Sequence, residues 1–294
     1  LHNFNSVFRH AQTTPDPIIK EDLITTNTFL DAQIGQSTAF FTYGLTDRID
    51  VSVALPFVNA NLAVVSNATI QRIGTANDPT IHYFLDSNGN PTTKKQFSIS
   101  GSASGLGDVL VRVKGTAWKT KPAWLAVGLD VRLPTGDAYN FLGSGAVGLK
   151  PFIAISGRTK IVTPHVNVAY QWNDSSPLAG DIFTGSKGHL PNQFEYAVGF
   201  DAGMSKRFSF AADVLGQEIF HAQGVKPSTF TAANGTQFPD NNFVQETANI
   251  TNGSLGFKVN PISTLLVSFN VLIQLNDAGL RSRVVPLVGF SYSF

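Results

Sequence analysis

The residues with chemistry to offer fall into a regular spacing. Arg48 and Asp50, then Asp108, Arg112 and Lys114, then Asp130 and Arg132, then Lys150, His165, Glu195, Asp201 and Asp213 each sit on the parity opposite a run of apolar residues. Successive side chains of a β-strand point to opposite faces, so each set belongs to the polar face of a strand. Both signs occur in similar number. An ionised group withdrawn from bulk water needs a partner, so these residues predict ion pairs across the space their faces enclose. Two roles are open to them: a mixed-charge lining that orients a solute or fixes an inserted loop, and a network that fills a narrow interior. The second is favoured, because a barrel of this size leaves little room unfilled.

His165 raises one further chemistry, hydrolysis by a serine, a histidine and a carboxylate. That needs a nucleophile within hydrogen-bond reach of the base, together with oxyanion donors. No nucleophile motif lies near His165, and a hydrogen bond to a neighbouring wall residue accounts for it. The other five histidines show no ligand spacing and the chain has no cysteine, so neither a metal nor another cofactor is expected. Gly105–Asp108 reads as the start of a strand, not as a phosphate-cradling loop.

The elements that must position these side chains are strands. Ala123, Leu125, Val127, Leu129, Val131 and Leu133 share one face, while Trp124, Ala126, Gly128, Asp130 and Arg132 share the other. The same grammar runs through Arg48–Phe57, Asp108–Lys114, Val147–Ser156, Val162–Trp172, Phe194–Asp201, Phe208–Gln217, Thr264–Gln274 and Arg283–Phe294. Leu1–Ala11, Thr28–Tyr43 and Thr247–Val259 alternate less cleanly. Short turns at Gly44–Asp47, Lys119–Pro122, Gly157–Lys160 and Ser205–Lys206 take turns with longer polar segments at Asn59–Ser104, Pro134–Gly145, Asn173–Pro191 and His221–Gln245. The first of these longer segments is a candidate lid or plug.

Composition decides between the two architectures that alternate in this way. Charged residues make up 14% of the chain, against roughly a quarter in soluble domains. There are 23 Phe and one Met, mean hydropathy is near zero, and no run is long and apolar enough for a membrane helix. A sandwich buries its apolar faces, whereas an outer-membrane barrel turns them to lipid and keeps hydrophobicity hidden in alternation. Low charge, aromatic strand ends and the alternation of short and long connections all favour the barrel. The expected fold is therefore all-β: one transmembrane antiparallel β-barrel over residues 1–294, of about twelve strands. A net charge of +1 gives no footprint for nucleic acid. No leader pattern opens at Leu1, a feature that a mature exported chain and a cytoplasmic chain share.

The longer polar segments hold Tyr83, Phe84, Tyr139, Phe141, Phe183, Phe230, Phe238 and Phe243. Grouped aromatics on a watery surface often mark binding sites. These either line a greasy entrance for a solute or else pack the loops together or stand at the lipid headgroup level, and the sequence favours neither reading.

Four segments carry a family resemblance: Tyr43–Phe57 (YGLTDRIDVSVALPF), Ser104–Gly115 (SGLGDVLVRVKG), Gly128–Asp137 (GLDVRLPTGD) and Leu142–Gly157 (LGSGAVGLKPFIAISG). Together they resemble the outer-membrane channel family linked to the meta pathway of phenol degradation. The ending Gly289, Tyr292, Phe294 is similar to the C-terminal signal read by bacterial barrel-assembly machinery, with Leu287 where a polar residue is usual. The resemblance implies a monomeric barrel in the bacterial outer membrane, in contact with its lipid, whose loops fold inward. It implies passive uptake of small hydrophobic solutes, aromatic ones among them, rather than catalysis. The alternatives are a lipid-modifying enzyme of the outer membrane and a structural barrel that anchors a partner protein.

Overall fold

A computed structural model describes residues 2–9, 22–73, 82–181, 184–232 and 234–293, with the side chains of 2–9 left aside. The described elements are all strands: β1 (His2–Arg9), β2 (Leu23–Gly44), β3 (Ile49–Gln71), β4 (Phe84–Leu85), β5 (Pro91–Thr92), β6 (Lys94–Leu106), β7 (Val109–Lys119), β8 (Ala123–Leu133), β9 (Gly148–Gly157), β10 (Val162–Asn173), β11 (Ser175–Asp181), β12 (Ser186–His189), β13 (Gln193–Gly203), β14 (Phe208–Thr231), β15 (Gln237–Ile262), β16 (Leu265–Gln274) and β17 (Val284–Tyr292). Thirteen of them form one sheet in the order β1-β2-β3-β7-β8-β9-β10-β13-β14-β15-β16-β17, with β6 also paired to β3. The ladders of known register are antiparallel. β11–β12 and β4–β5 are small separate hairpins. The class is the expected one, an all-β antiparallel sheet of the outer-membrane barrel type.

Two compact units emerge from the packing. The first comprises Leu1–Gly35, Asn59–Ala103 and Gln223–Gln245; the second comprises Gln36–Val58, Ser104–Ala222 and Glu246–Phe294. In the first unit β1 pairs with the Leu23–Leu30 part of β2, and Leu23, Ala68, Ile70 and Ala232 are buried. Asp22 is also buried there, with His82 Nδ1 2.9 Å and Arg72 Nη1 3.7 Å from its carboxylate.

The second unit carries the clean alternation. Its ladder places Val113, Val127 or Leu129, Ile153 or Ile155, Val166, Val198 and Val214 on one face, and all of them are exposed. Arg112, Asp130 and Lys150 follow one another across β7, β8 and β9 on the opposite face, in register. An exposed apolar face with a polar face behind it inverts the arrangement of a water-soluble domain, and lipid is the solvent that suits it. Aromatic side chains gather near both ends of the apolar face. Tyr170 packs at 4.9 Å from Trp172 and 6.0 Å from Phe220, and Phe194 lies 6.3 Å from Tyr196. Towards the other end Phe257 lies between Phe208 and Phe269, at 6.0 and 5.5 Å. These are the girdles expected where a barrel meets the lipid headgroups. A bulge in β7 adds to the second girdle: the register shifts between Thr116 and Trp118, so that Trp118 pairs with outward Leu125 and is exposed.

The structure corrects several boundaries. The segment Asn59–Ser104 is not a long loop, because β3 runs on to Gln71 and β6 begins at Lys94. His221–Gln245 is likewise mostly strand, with β14 reaching Thr231 and β15 starting at Gln237. The β14 and β15 extensions are polar on both parities and so lack the apolar stripe that marks a membrane-facing strand, whereas the β3 extension keeps an apolar parity (Ala60, Leu62, Val64, Ala68, Ile70) that is half-buried or buried. β2 likewise starts at Leu23 rather than Thr28, and Asn173–Pro191 contains the β11–β12 hairpin. β6 and β7 both pair with β3 and are separated by Gly107 and Asp108 alone, so they act as one interrupted strand.

Candidate functional site

The polar face of the second unit is built from residues that register alone brings into a row. Arg112 Nε and Nη2 donate to the two carboxylate oxygens of Asp130 at 2.7 and 2.8 Å, the fork-to-fork geometry peculiar to arginine and carboxylates. Asp130 is only 1% exposed. Lys150 Nζ lies 3.8 Å from Asp130 and donates to Glu195 at 3.1 Å, across the intervening β10. From Glu195 the chain of bonds continues through amides. Gln193 Nε2 donates to Glu195 and to Gln171, both at 3.0 Å, and Gln217 Nε2 donates to Gln193 at 2.6 Å. Gln171 Nε2 and Arg132 Nη2 then meet on Asn173 Oδ1 at 2.7 and 2.8 Å.

Phe152 lies on this same face, and the reason is a glycine. Gly128 stands opposite it in register, and a Cβ there would come within 2.3 Å of the Phe152 ring and 2.6 Å of the Val113 carbonyl oxygen. The ring therefore fits against Gly128 of β8, with the Arg112 guanidinium 5.0 Å from its centroid. Arg112, Asp130, Lys150, Phe152, Glu195 and Gln217, with Leu215 and Ile250, border a cavity of about 510 Å³. That volume is within the range of small-molecule sites.

A second cluster holds the connection between β8 and β9 in place. Asp108, in the break between β6 and β7, accepts from the backbone N–H of Gly136 at 3.1 Å and of Ser144 at 2.7 Å, and from the Ser144 hydroxyl. Arg132 Nε stands 3.7 Å from Asp108. Ser176, wholly buried, donates to the Ser144 carbonyl at 2.6 Å. Thr135 Oγ1 donates to the Gly107 carbonyl and accepts from the Val109 N–H. Leu142, Ala138 and Ala146 are buried in the same place. Gly136 and Gly143 pass back to back, where a Cβ on either would meet backbone within 3 Å. Phe141 has φ of 59°, a conformation costly for a bulky residue and stable only when its surroundings impose it.

Two further pairs lie nearer the short-turn end. His165 Nε2 is 2.7 Å from Asp213 Oδ1, reached across Gly199, and Lys258 Nζ is 2.6 Å from Asp201 Oδ1. Lys258 is absent from the charges singled out in the sequence, although its parity against Leu255, Phe257 and Val259 places it inward. Gln193 and Asn173 give no signal in the sequence, since neutral amides carry no charge pattern. Asp50 and Lys114 face each other across β3 and β7. Arg48 is in the exposed turn before β3, at the end of the ladder, so it takes no part in the cavity.

Of the aromatics assigned to loops, Phe230, Phe238 and Phe243 are strand residues of β14 and β15, a correction that follows from the extended ladders. Phe84, in the β4–β5 hairpin, packs edge-on against Phe97 at 5.8 Å. Tyr83, Tyr139 and Phe141 are exposed in connections. Phe183 lies outside the described residues.

No curated protein matches this sequence significantly. Among solved structures the chain is similar to an outer-membrane channel of Pseudomonas putida F1, with a TM-score of 0.48 and 14% identity over 98% of this chain and 89% of that one. It is also similar to the NanC porin, with a TM-score of 0.44 and 9% identity over 99% of both chains. The Pseudomonas putida toluene transporter TodX gives a TM-score of 0.39 and 13% identity over 95% of this chain and 83% of that one. A family model described as "Putative MetA-pathway of phenol degradation" matches residues 26–279, most of the chain, and the protein belongs to that family.

Proposed function

We propose that the protein is a bacterial outer-membrane channel for passive uptake of small hydrophobic molecules, aromatic ones included. The observation that carries this reading is the inside-out sheet of the second unit: an exposed apolar face flanked by aromatic girdles, with a paired polar face and a cavity of about 510 Å³ behind it. On this reading lipid covers the apolar face, and Arg112, Asp130, Lys150 and Glu195 line the path. The connection clamped by Asp108 narrows that path, and barrel-assembly machinery reads β17 during insertion. The protein works as a monomer and as one domain over residues 1–294, a view supported by β2, β3, β14 and β15, each of which contributes residues to both units.

Expression in a Gram-negative host should raise the initial rate of uptake of radiolabelled small aromatics severalfold over the empty vector. Equal rates across a panel of hydrophobic solutes would sink the reading. The hydrolytic alternative has half a constellation: His165 with Asp213 forms a base and its orienter, and Ser156 stands opposite His165 in register. Among the described residues no hydrogen bond joins Ser156 to His165. Reading the protein as a non-enzyme, we expect His165→Ala to change no hydrolytic activity in purified material.

A further inference from the structure

We infer that the cavity between β7 and β15 is a recognition site for small ring compounds bearing an oxygen acceptor, carboxylates above all, and that Arg112 selects them. This rests on the channel reading for its purpose, but its support is local. Asp130 engages Nε and Nη2 of Arg112 and fixes the plane of the guanidinium. The two N–H groups of Nη1 have no acceptor among the described residues. The pair is also lopsided in exposure: the arginine side chain is 42% exposed and Asp130 1%. Within this pair the cation, and not the anion, faces the space, where Glu195, bonded to Lys150, is the accessible carboxylate.

Beside the guanidinium lies the flat ring of Phe152, seated over Gly128, and Leu215 and Ile250 add apolar wall. A planar solute can lie along this apolar wall while its oxygen accepts from Nη1. Lys150 competes little for that oxygen, because it is already engaged by Glu195 and sits beside Asp130. A solute without an acceptor would strip water from the Nη1 donors and offer nothing in return. An unsatisfied donor of this kind weakens binding by roughly tenfold to a hundredfold. The preference predicted is thus for oxygenated ring compounds over hydrocarbons or cations of the same shape.

The test pairs two water-soluble probes of one shape, benzoate and benzylammonium, against the purified full chain by titration calorimetry. Wild type should bind benzoate at least tenfold more tightly. Arg112→Lys, which keeps the charge and loses the fork, should reduce that preference. The double variant Arg112→Gln/Asp130→Asn, which removes one charge of each sign, should abolish it. Folding of each variant is checked by the gel shift of the unheated barrel. Equal binding of the two probes by wild type would overturn the site, and so would a preference retained in the folded double variant. Benzoate entry into proteoliposomes separates the two readings. Binding that depends on Arg112 without entry would leave the site standing and remove the channel. Entry without Arg112-dependent binding would do the reverse.

Discussion

Asp130 holds two cations at once, and what it does for them can be measured. Replacing it with Ala would leave Arg112 without its hydrogen-bonded carboxylate and Lys150 with Glu195 alone. Breaking a buried pair from one side costs about 3–5 kcal/mol, and the partial exposure of Arg112 moves the expected loss to the lower end of that range. The urea midpoint in detergent reads this directly, and an unchanged midpoint would mean that the pair is worth no more than a surface bridge. Gly128 makes a complementary point about space. A Cβ there meets the Phe152 ring, which can swing away, and the Val113 carbonyl oxygen, which belongs to the ladder. Gly128→Ala should therefore cost about 1–3 kcal/mol by overpacking, whereas Gly115→Ala, where the nearest atom is 3.9 Å away, should cost far less. Similar midpoints for the two variants would show that the ring is not seated as described.

At the scale of elements, the connection between β8 and β9 owes its place to Asp108 more than to its own sequence. Asp108→Ala removes the acceptor for two backbone N–H groups and one hydroxyl, and the counter-charge to Arg132. If this connection narrows the path, the variant should conduct small ions severalfold better in planar bilayers, and Asp108→Asn should fall between it and wild type. Equal conductance of all three would place the constriction elsewhere. A different turn, between β4 and β5, offers a pH test. The backbone N–H of Asn90 foremost, with those of Asn88 and Gly89, holds the exposed Asp86 carboxyl below its ordinary 3.8. A lowered carboxyl contributes stability above its unfolded value and loses it as pH falls through the folded one. Amide-exchange protection at Asn88 and Asn90 should therefore hold from neutral pH down to that ordinary value and vanish below it. In Asp86→Asn the same protection should show no such step.

The elements were legible in the sequence wherever a strand faces lipid on one side. Ala123–Leu133 was readable residue by residue because its environment demands apolar and polar side chains in strict turn. Gln223–Thr231 and Gln237–Gln245 were not, because strands that are polar on both parities satisfy the ladder with backbone alone. Of the candidate site, the charged members announced themselves by parity. Phe152 did not: its inward position is allowed by Gly128, a residue in another strand that only register brings opposite. The clamp at Asp108 was equally hidden, since its partners are backbone N–H groups nearly thirty residues or more away in sequence.

For the molecule as a whole, contact of the exposed apolar face with lipid accounts for both the alternation and the two girdles, and neither would help a face that meets water. That contact fixes a gradient of cost along a strand. Ile153, 45% exposed in the middle of β9, points outward between the girdles, and Trp172, 51% exposed, sits within one of them. An arginine on the lipid face costs about 2–4 kcal/mol at mid-membrane and about 0–1 kcal/mol near the headgroups. Ile153→Arg should therefore lower stability in phospholipid vesicles by roughly that larger amount relative to Trp172→Arg, once the packing that Trp172 loses against Tyr170 is subtracted with Trp172→Ala. The same pair compared in a zwitterionic detergent, whose short tails let a long side chain reach water, should show a smaller difference. Were Ile153→Arg as harmless in vesicles as a surface substitution, the apolar face would need a protein partner in place of lipid, and the anchoring alternative would gain the support it now lacks.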